Sequence, residues 1–263
     1  MGPVEVAKNL HWVGAVDWNV RNFHGYSTYK GTTYNAYLLT GEKNVLFDTV
    51  KAPFAAELLA NLRQALPQGK LDYLVVNHVE MDHSGALPEV IAALRPEKIL
   101  CSSMGKEALL AHFHSPDWPL EVVRNGEERR WGSAHVRFLE TRMLHWPDSM
   151  FTYIPEEELL LSNDAFGMHW ATSERFEDQV NSAELVRHAM KYYANILTPF
   201  SPLVRKLIEK VKAMGLKISM IAPSHGPIWR TDPGGIIGLY DSSSRGETIP
   251  KAVVAFDTMW GGT

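Results

Sequence analysis

A single cysteine, Cys101, serves the whole 263-residue chain. No disulfide can close within it, which suits a reducing cytoplasm. One thiol also rules out a thiolate zinc site or a cysteine-ligated iron–sulfur cluster held by one chain. Any metal must therefore be held by nitrogen and oxygen. An excess of one charge is missing as well: 26 basic and 30 acidic residues leave a net charge of −4, and the basic residues are scattered. That is not the footprint of a nucleic-acid or anionic-membrane binder. No apolar run approaches the roughly 20 residues of a spanning helix. The opening MGPVEVAKNLHW lacks the basic-then-apolar pattern of a signal peptide. Repeats at solenoid spacing and low-complexity tracts are also missing. A cytoplasmic protein is expected, with no nucleic-acid or membrane partner.

What is present is an ordinary globular balance, 45% hydrophobic and 21% charged, enough to bury a sizeable core. NLHWVGAV, YNAYLL, NVLFD and LDYLVV read as strands, and PFAAELLANLRQAL, opened by proline, as a helix. GALPEVIAALRP and GKEALLAHFH follow as helices around the strand KILCSS, with Cys101 as core filling. Later, HVRFLET, SMFTYI and ELLLSN read as strands, and FGMHWATSERFEDQVNS as a long loop. AELVRHAMKYYANIL and SPLVRKLIEKVKAMG are amphipathic helices, and KISMIAPSHG is a strand entering a loop. Strands and helices thus recur in matching order in the two halves. An α/β sandwich is expected, two sheets with helices on their outer faces and loops of both halves along one edge.

One stretch stands out. NHVEMDHSG, directly after the buried run LDYLVV, sets His78, Glu80, Asp82 and His83 within six positions. On an extended backbone alternate side chains point the same way, so His78, Glu80 and Asp82 are expected to project together, with His83 turning to a second point. One ion cannot easily take four ligands so crowded; two adjacent ions can. His145 in MLHWPDS, Asp164 in LLLSNDAFG and His225 in IAPSHGP occupy loop positions after strands. Singly each reads as a satisfied histidine or a turn acid. Together with the 78–83 loop they make a set of four histidines and three carboxylates, with Asp164 the choice for a bridge.

This pattern, His78-x-Glu80-x-Asp82-His83 with His145, Asp164 and His225, resembles the metallo-β-lactamase fold in its flavodiiron form. NFHGYSTYKGTTYNAYLL, SNDAFG, ATSERF and APSHGPIWR extend the resemblance over essentially the whole chain. It implies an αββα sandwich and a non-haem di-iron site that reduces O2 to water or NO to N2O. It also implies that one iron takes His78, Glu80 and His145, the other Asp82, His83 and His225, with Asp164 between them. His24 and Tyr26, in NFHGYS, and Tyr193, in KYYANI, would line the substrate pocket. Most hydrolases of the fold carry histidine where this chain has Glu80. A carboxylate there adds negative charge and a hard oxygen donor, which suits iron that changes oxidation state more than zinc.

The closing AFDTMWGGT resembles the first strand and FMN phosphate loop of the flavodoxin domain that follows in that family, because glycines let backbone N–H groups approach a phosphate. Thr258, Trp260, Gly261 and Thr263 are the expected FMN contacts. Residues 1–249 are thus expected to form the di-iron domain and 250–263 the start of a truncated flavodoxin-like domain. The resemblance further implies an electron donor such as rubredoxin and, for the intact protein, a head-to-tail homodimer or tetramer. Two alternatives stay open: a di-iron O2-binding sensor, and a metal-dependent hydrolase of the same fold.

Overall fold

A computed structural model of the chain describes residues 1–114, 117–132, 134–247, 250–253, 257 and 259–261. Seven strands form the first sheet, in the order Val4–Ala7, Leu10–Trp12, Tyr37–Leu39, Val45–Phe47, Tyr73–Val76, Lys98–Cys101 and Leu120–Val122. The first four pair antiparallel and the remainder parallel. The second sheet runs Glu128–Trp131, Ala134–Glu140, Met150–Ile154, Leu159–Asn163 and Met220–Pro223, with only the last pair parallel.

Strand periodicity divides the apolar residues among three cores. In the first sheet Tyr37, Leu39, Val45, Phe47, Val75 and Leu100 face inward, against Val136, Phe138, Met150, Leu159 and Leu161 of the second sheet. The alternate residues Leu38, Leu46, Leu74, Val76, Ile99 and Cys101 face outward, onto Leu58 and Leu62 of the helix Ala55–Ala65, Val90 of Leu87–Leu94 and Leu109 of Ser103–Phe113. On the far side Phe151, Tyr153, Leu160 and Ile221 pack on the helices Ser182–Tyr192, Ser201–Ala213 and Pro233–Ser244. Both faces of each sheet are thus covered, which is why the strands read as continuous apolar runs. The architecture is the expected αββα sandwich.

Two elements depart from the sequence reading. The helix Pro233–Ser244 was not expected, since its three glycines and three serines dilute helix propensity; Asp232 caps it by accepting from Gly235 N–H. The strand KILCSS ends at Cys101, because Ser102 caps the next helix by accepting from Gly105 N–H. The strand and phosphate loop expected in AFDTMWGGT fall mostly outside the described residues, of which 257 and 259–261 are described there and form no strand.

Asn35 fastens the halves together. Its side chain, 1% exposed, accepts from Trp12 Nε1–H and donates to the carbonyls of Pro223 and Gly226, at 2.8–2.9 Å. Replacing it with leucine strands the buried Trp12 donor and the Gly226 carbonyl, while the Pro223 carbonyl keeps the Tyr37 hydroxyl at 2.7 Å. Asn35→Leu is expected to lower unfolding stability by about 2 kcal/mol or more, at about 1–3 kcal/mol for each orphaned group, measured by urea titration.

Candidate metal centre

The parallel strands set their carboxyl ends at one edge, and three site-bearing loops leave from there. Tyr73–Val76 leads to His78, Leu159–Asn163 to Asp164, and Met220–Pro223 to His225. His145 comes from the loop between Ala134–Glu140 and Met150–Ile154. Asn77 anchors the first loop. Its backbone and side-chain N–H groups donate to the carboxylate of Asp48, and its side-chain oxygen accepts from Thr152 of the opposite sheet. Thr49 donates through both its backbone N–H and its hydroxyl to the carbonyl of His83.

The expectation of one extended run through residue 82 is corrected here. Glu80 is extended (φ −54°, ψ 144°), but the chain turns helical over Met81–Ser84. The run therefore divides between two places. His78, Glu80, His145 and Asp164 form the first group and Asp82, His83 and His225 the second, while Glu80 and Asp82 also meet His24 in a third; within each group one ligand atom per residue lies within 4.8 Å of every other.

Asp164 stands between the groups. Its Oδ2 is 3.1 Å from His145 Nε2 and 3.6 Å from His78 Nε2. Its Oδ1 is 3.0 Å from His83 Nε2 and 3.5 Å from His225 Nε2. Glu80 Oε2 lies 3.3 Å from both His78 Nε2 and His145 Nε2, and Asp82 Oδ2 lies 3.0 Å from His225 Nε2 and 3.3 Å from His83 Nε2. His78, His83, Asp164 and His225 are each 0% exposed.

Despite these distances, both oxygens of Asp82, Oδ1 of Asp164 and the Nε2 atoms of His83 and His225 make no hydrogen bond. Buried polar atoms left so cost about 1–3 kcal/mol each. Lone pairs that approach one another without aligning are what donors around a common cation require. The set of four imidazoles and three carboxylates fits a pair of divalent ions.

The charges respond to this crowding. Burial disfavours charge on His83 and His145, but Asp82 and Asp164 beside the first, and Asp164 and Glu80 beside the second, outweigh it and lift both to about 9. Burial likewise opposes ionisation of Glu80, yet the neighbouring rings of His145, His24 and His78 hold it well below the usual carboxylate range. Asp164 is buried too and is held low chiefly by His83 and His145.

Outer partners orient the rings. His78 Nδ1–H donates to Asp148 Oδ2 at 2.9 Å, and the same oxygen accepts from Val79 N–H at 2.7 Å. His225 Nδ1–H donates to the carbonyl of Thr33 at 2.6 Å. Asp148, three residues after His145, carried a sequence signal only by its place in MLHWPDS; Thr33 carried none.

Of the expected pocket residues, His24 places Nε2 3.4 Å from Glu80 Oε1, and its ring stacks on Phe23. The Tyr26 hydroxyl is buried without a partner, and its ring lies 5.7 Å from that of His169. Tyr193 does not join them. Its hydroxyl meets Ser201 Oγ at 2.9 Å and its ring packs on Tyr240. The adjacent Tyr192 takes that place, 5.2 Å from the His169 ring and 6.3 Å from that of His225, with its buried hydroxyl unpartnered. One step along a helix turns a side chain by about 100°, enough to exchange the two faces. Trp260 is 90% exposed and Gly261 has a positive φ of 71°; Thr258 and Thr263 lie outside the described residues.

Two sheets between helical layers, with histidines and carboxylates gathered at one edge, define the metallo-β-lactamase class of fold. The family model described as ODP family beta lactamase matches residues 32–226, and the chain belongs to that family. It is 51% identical over 260 residues to a nitric oxide reductase of Moorella thermoacetica, covering 98% of this chain and 65% of that protein. Rubredoxin oxygen:oxidoreductase from Desulfovibrio gigas superimposes with a TM-score of 0.90 at 46% identity, over 92% of this chain and 61% of that one. The flavodiiron protein of Giardia intestinalis gives 0.89 at 36% identity, over 94% and 60%. The chain thus falls among the flavodiiron proteins and spans about two thirds of the length of such relatives. Among the described residues no helix is long and apolar enough to cross a membrane.

Two outcomes follow. A metal ion must displace protons that His83 and His145 hold up to about pH 9. Affinity is therefore expected to rise from pH 7 to 9 with net proton release, read by calorimetry in buffers of differing ionisation enthalpy. Asp148→Asn, which removes the carboxylate behind His78, is expected to weaken metal binding about 10–100-fold, read by chelator competition.

Proposed function

We propose that this chain is the di-iron part of a flavodiiron oxidoreductase that reduces O2 to water, NO to N2O, or both. The observation that carries the reading is Asp164, which turns one oxygen to His78 and His145 and the other to His83 and His225. One iron would be held by His78, Glu80 and His145, the second by Asp82, His83 and His225, with Asp164 bridging. Glu80 favours iron over zinc, since an anionic oxygen donor supports a metal that changes oxidation state. When bound, a ferrous pair would supply two electrons to a diatomic substrate.

The side chains of the chain do the remainder. Asp148 and the Thr33 carbonyl keep His78 and His225 in the tautomer that leaves Nε2 free for metal. Tyr26 and Tyr192 present phenol hydroxyls that have no other partner, each able to donate to an oxygen in the pocket. Burial raises the pKa of both phenols well above the ordinary value, with Asp164 adding to it, so each keeps its proton. Phe23 stacks on His24 and so holds the plane of that ring.

Further electrons would come from FMN, fed by a donor such as rubredoxin. Residues 1–249 are read as the di-iron domain and 250–263 as the start of a flavodoxin-like one, with Thr258, Trp260, Gly261 and Thr263 beginning its phosphate loop. In the intact protein the flavin would approach from another subunit, head to tail. A surface cleft of about 420 Å3 lined by Val79, Glu80, Met81, His112 and Trp146 supports that approach. A cytoplasmic setting accords with the single buried thiol.

The test begins with anaerobic purification and metal analysis. About two irons per chain are expected, falling to about one in Glu80→Ala. With ferrous iron and no flavin, two NO should yield one N2O and one water per chain, consuming two electrons and two protons. Repeated turnover should need an added reduced flavodoxin-like partner. Two zincs, with no redox response even after loading with ferrous iron, would put the hydrolase reading first.

A further inference from the structure

We propose that His169 and Thr32 are positioning residues that fix which ring nitrogen of His24 carries hydrogen, and so aim an N–H at Glu80. The consequence for catalysis rests on reading Glu80 as a metal ligand; the tautomer itself does not.

The side chains form a continuous series. Thr32 Oγ1 is 2.8 Å from His169 Nδ1, His169 Nε2 is 3.1 Å from His24 Nδ1, and His24 Nε2 is 3.4 Å from Glu80 Oε1. Thr32 is 0% and His169 3% exposed, so their polar atoms must find partners within the series. A neutral imidazole donates from one nitrogen and accepts at the other, so the series can run in only two directions.

In the first, the Thr32 hydroxyl donates to His169 Nδ1 and His169 Nε2–H donates to His24 Nδ1. The hydrogen of His24 then sits on Nε2, facing a carboxylate. In the second every donor is reversed, and a bare Nε2 lone pair faces Glu80 Oε1, acceptor against acceptor. That arrangement leaves two acceptors facing each other in a largely enclosed place, which is costly. The Thr32 end permits the first direction: its Oγ1 lies 3.4 Å from His225 Nδ1, a donor, and 3.2 Å from the Thr33 carbonyl, which receives His225 Nδ1–H at 2.6 Å.

The role follows from how Glu80 is split. Oε2 faces His78 and His145, while Oε1 faces His24. At 3.4 Å the His24 contact is not aligned as a hydrogen bond, so the Nε2–H is available to Oε1 or to an oxygen in the pocket. Engaged with Oε1, it would leave Oε2 as the Glu80 oxygen turned to His78 and His145, where a metal would be held. Stacking on Phe23 fixes the ring plane; His169 fixes the tautomer within it.

Long-range 15N–1H correlation spectra of the labelled full chain, metal-free and zinc-loaded, test this directly. Wild type is expected to show His24 as the Nε2–H tautomer. His169→Phe should lose that preference. His169→Gln should restore it, because its amide oxygen accepts from Thr32 and its NH2 donates to His24 Nδ1. Thr32→Val, which leaves His169 in place, should give a mixture. Thermal unfolding of each variant establishes that it is folded. An Nδ1–H tautomer in wild type, or an unchanged Nε2–H tautomer in both His169→Phe and Thr32→Val, overturns the proposal. Metal content of the same wild-type sample separates the two readings: failure to bind iron with the tautomer as expected counts against the metal site alone.

Discussion

Everything at the working edge answers to one buried carboxylate. Asp164 is wholly enclosed, and a lone ionised carboxyl in such a place costs several kcal/mol. It is tolerable because histidines from three other loops converge on it, two to each oxygen. None of those rings could be there unless both sheets were already packed face to face. The sandwich and the cluster are therefore one problem in placement, not a scaffold with a site added.

The placement is made by backbone more than by the charged groups themselves. Strand ends set the directions, and uncharged amides and hydroxyls hold the loops: Asn35 across the sheets, Asn77 on Asp48 and Thr152, Thr49 on the His83 carbonyl. These groups are satisfied whether or not a cation is present. Of the rings that face the centre, His83 and His225 leave Nε2 without a hydrogen bond although their loops are held, so donors for a cation are already in place. The relay from Thr32 through His169 to His24 applies the same principle one layer out.

Most of the fold could be read from the chain, because strands buried on both faces and amphipathic helices leave strong periodicities. The seven residues around Asp164 were also legible, since each follows an apolar run and four of them crowd into one loop. Three things were not. Tyr192 and Tyr193 are adjacent and identical in type, so only the helix rotation decides which faces the site. The helix Pro233–Ser244 is held by packing of Ile236 and Tyr240 against neighbours that its composition does not announce. Asp148, His169 and Thr33 matter through contacts that span 70 to 192 positions, and no local pattern records those. The extended reading through Asp82 failed for a related reason: the helical turn at Met81 is what divides one crowded loop between two groups.

The order of the donors along the chain has a temporal side. His78, Glu80, His145 and Asp164 all lie within the first 164 positions, whereas the second group waits for His225, carried by Met220–Pro223, the last strand to join its sheet. Chains emerge from the ribosome amino end first, but domains generally fold as units. Six of the seven donors are therefore synthesised well before the centre can close, because Asn35 and Asp164 both still await partners carried by the last strand and the loop after it. A nascent chain stopped short of that strand holds nearly all of the ligands and none of the site.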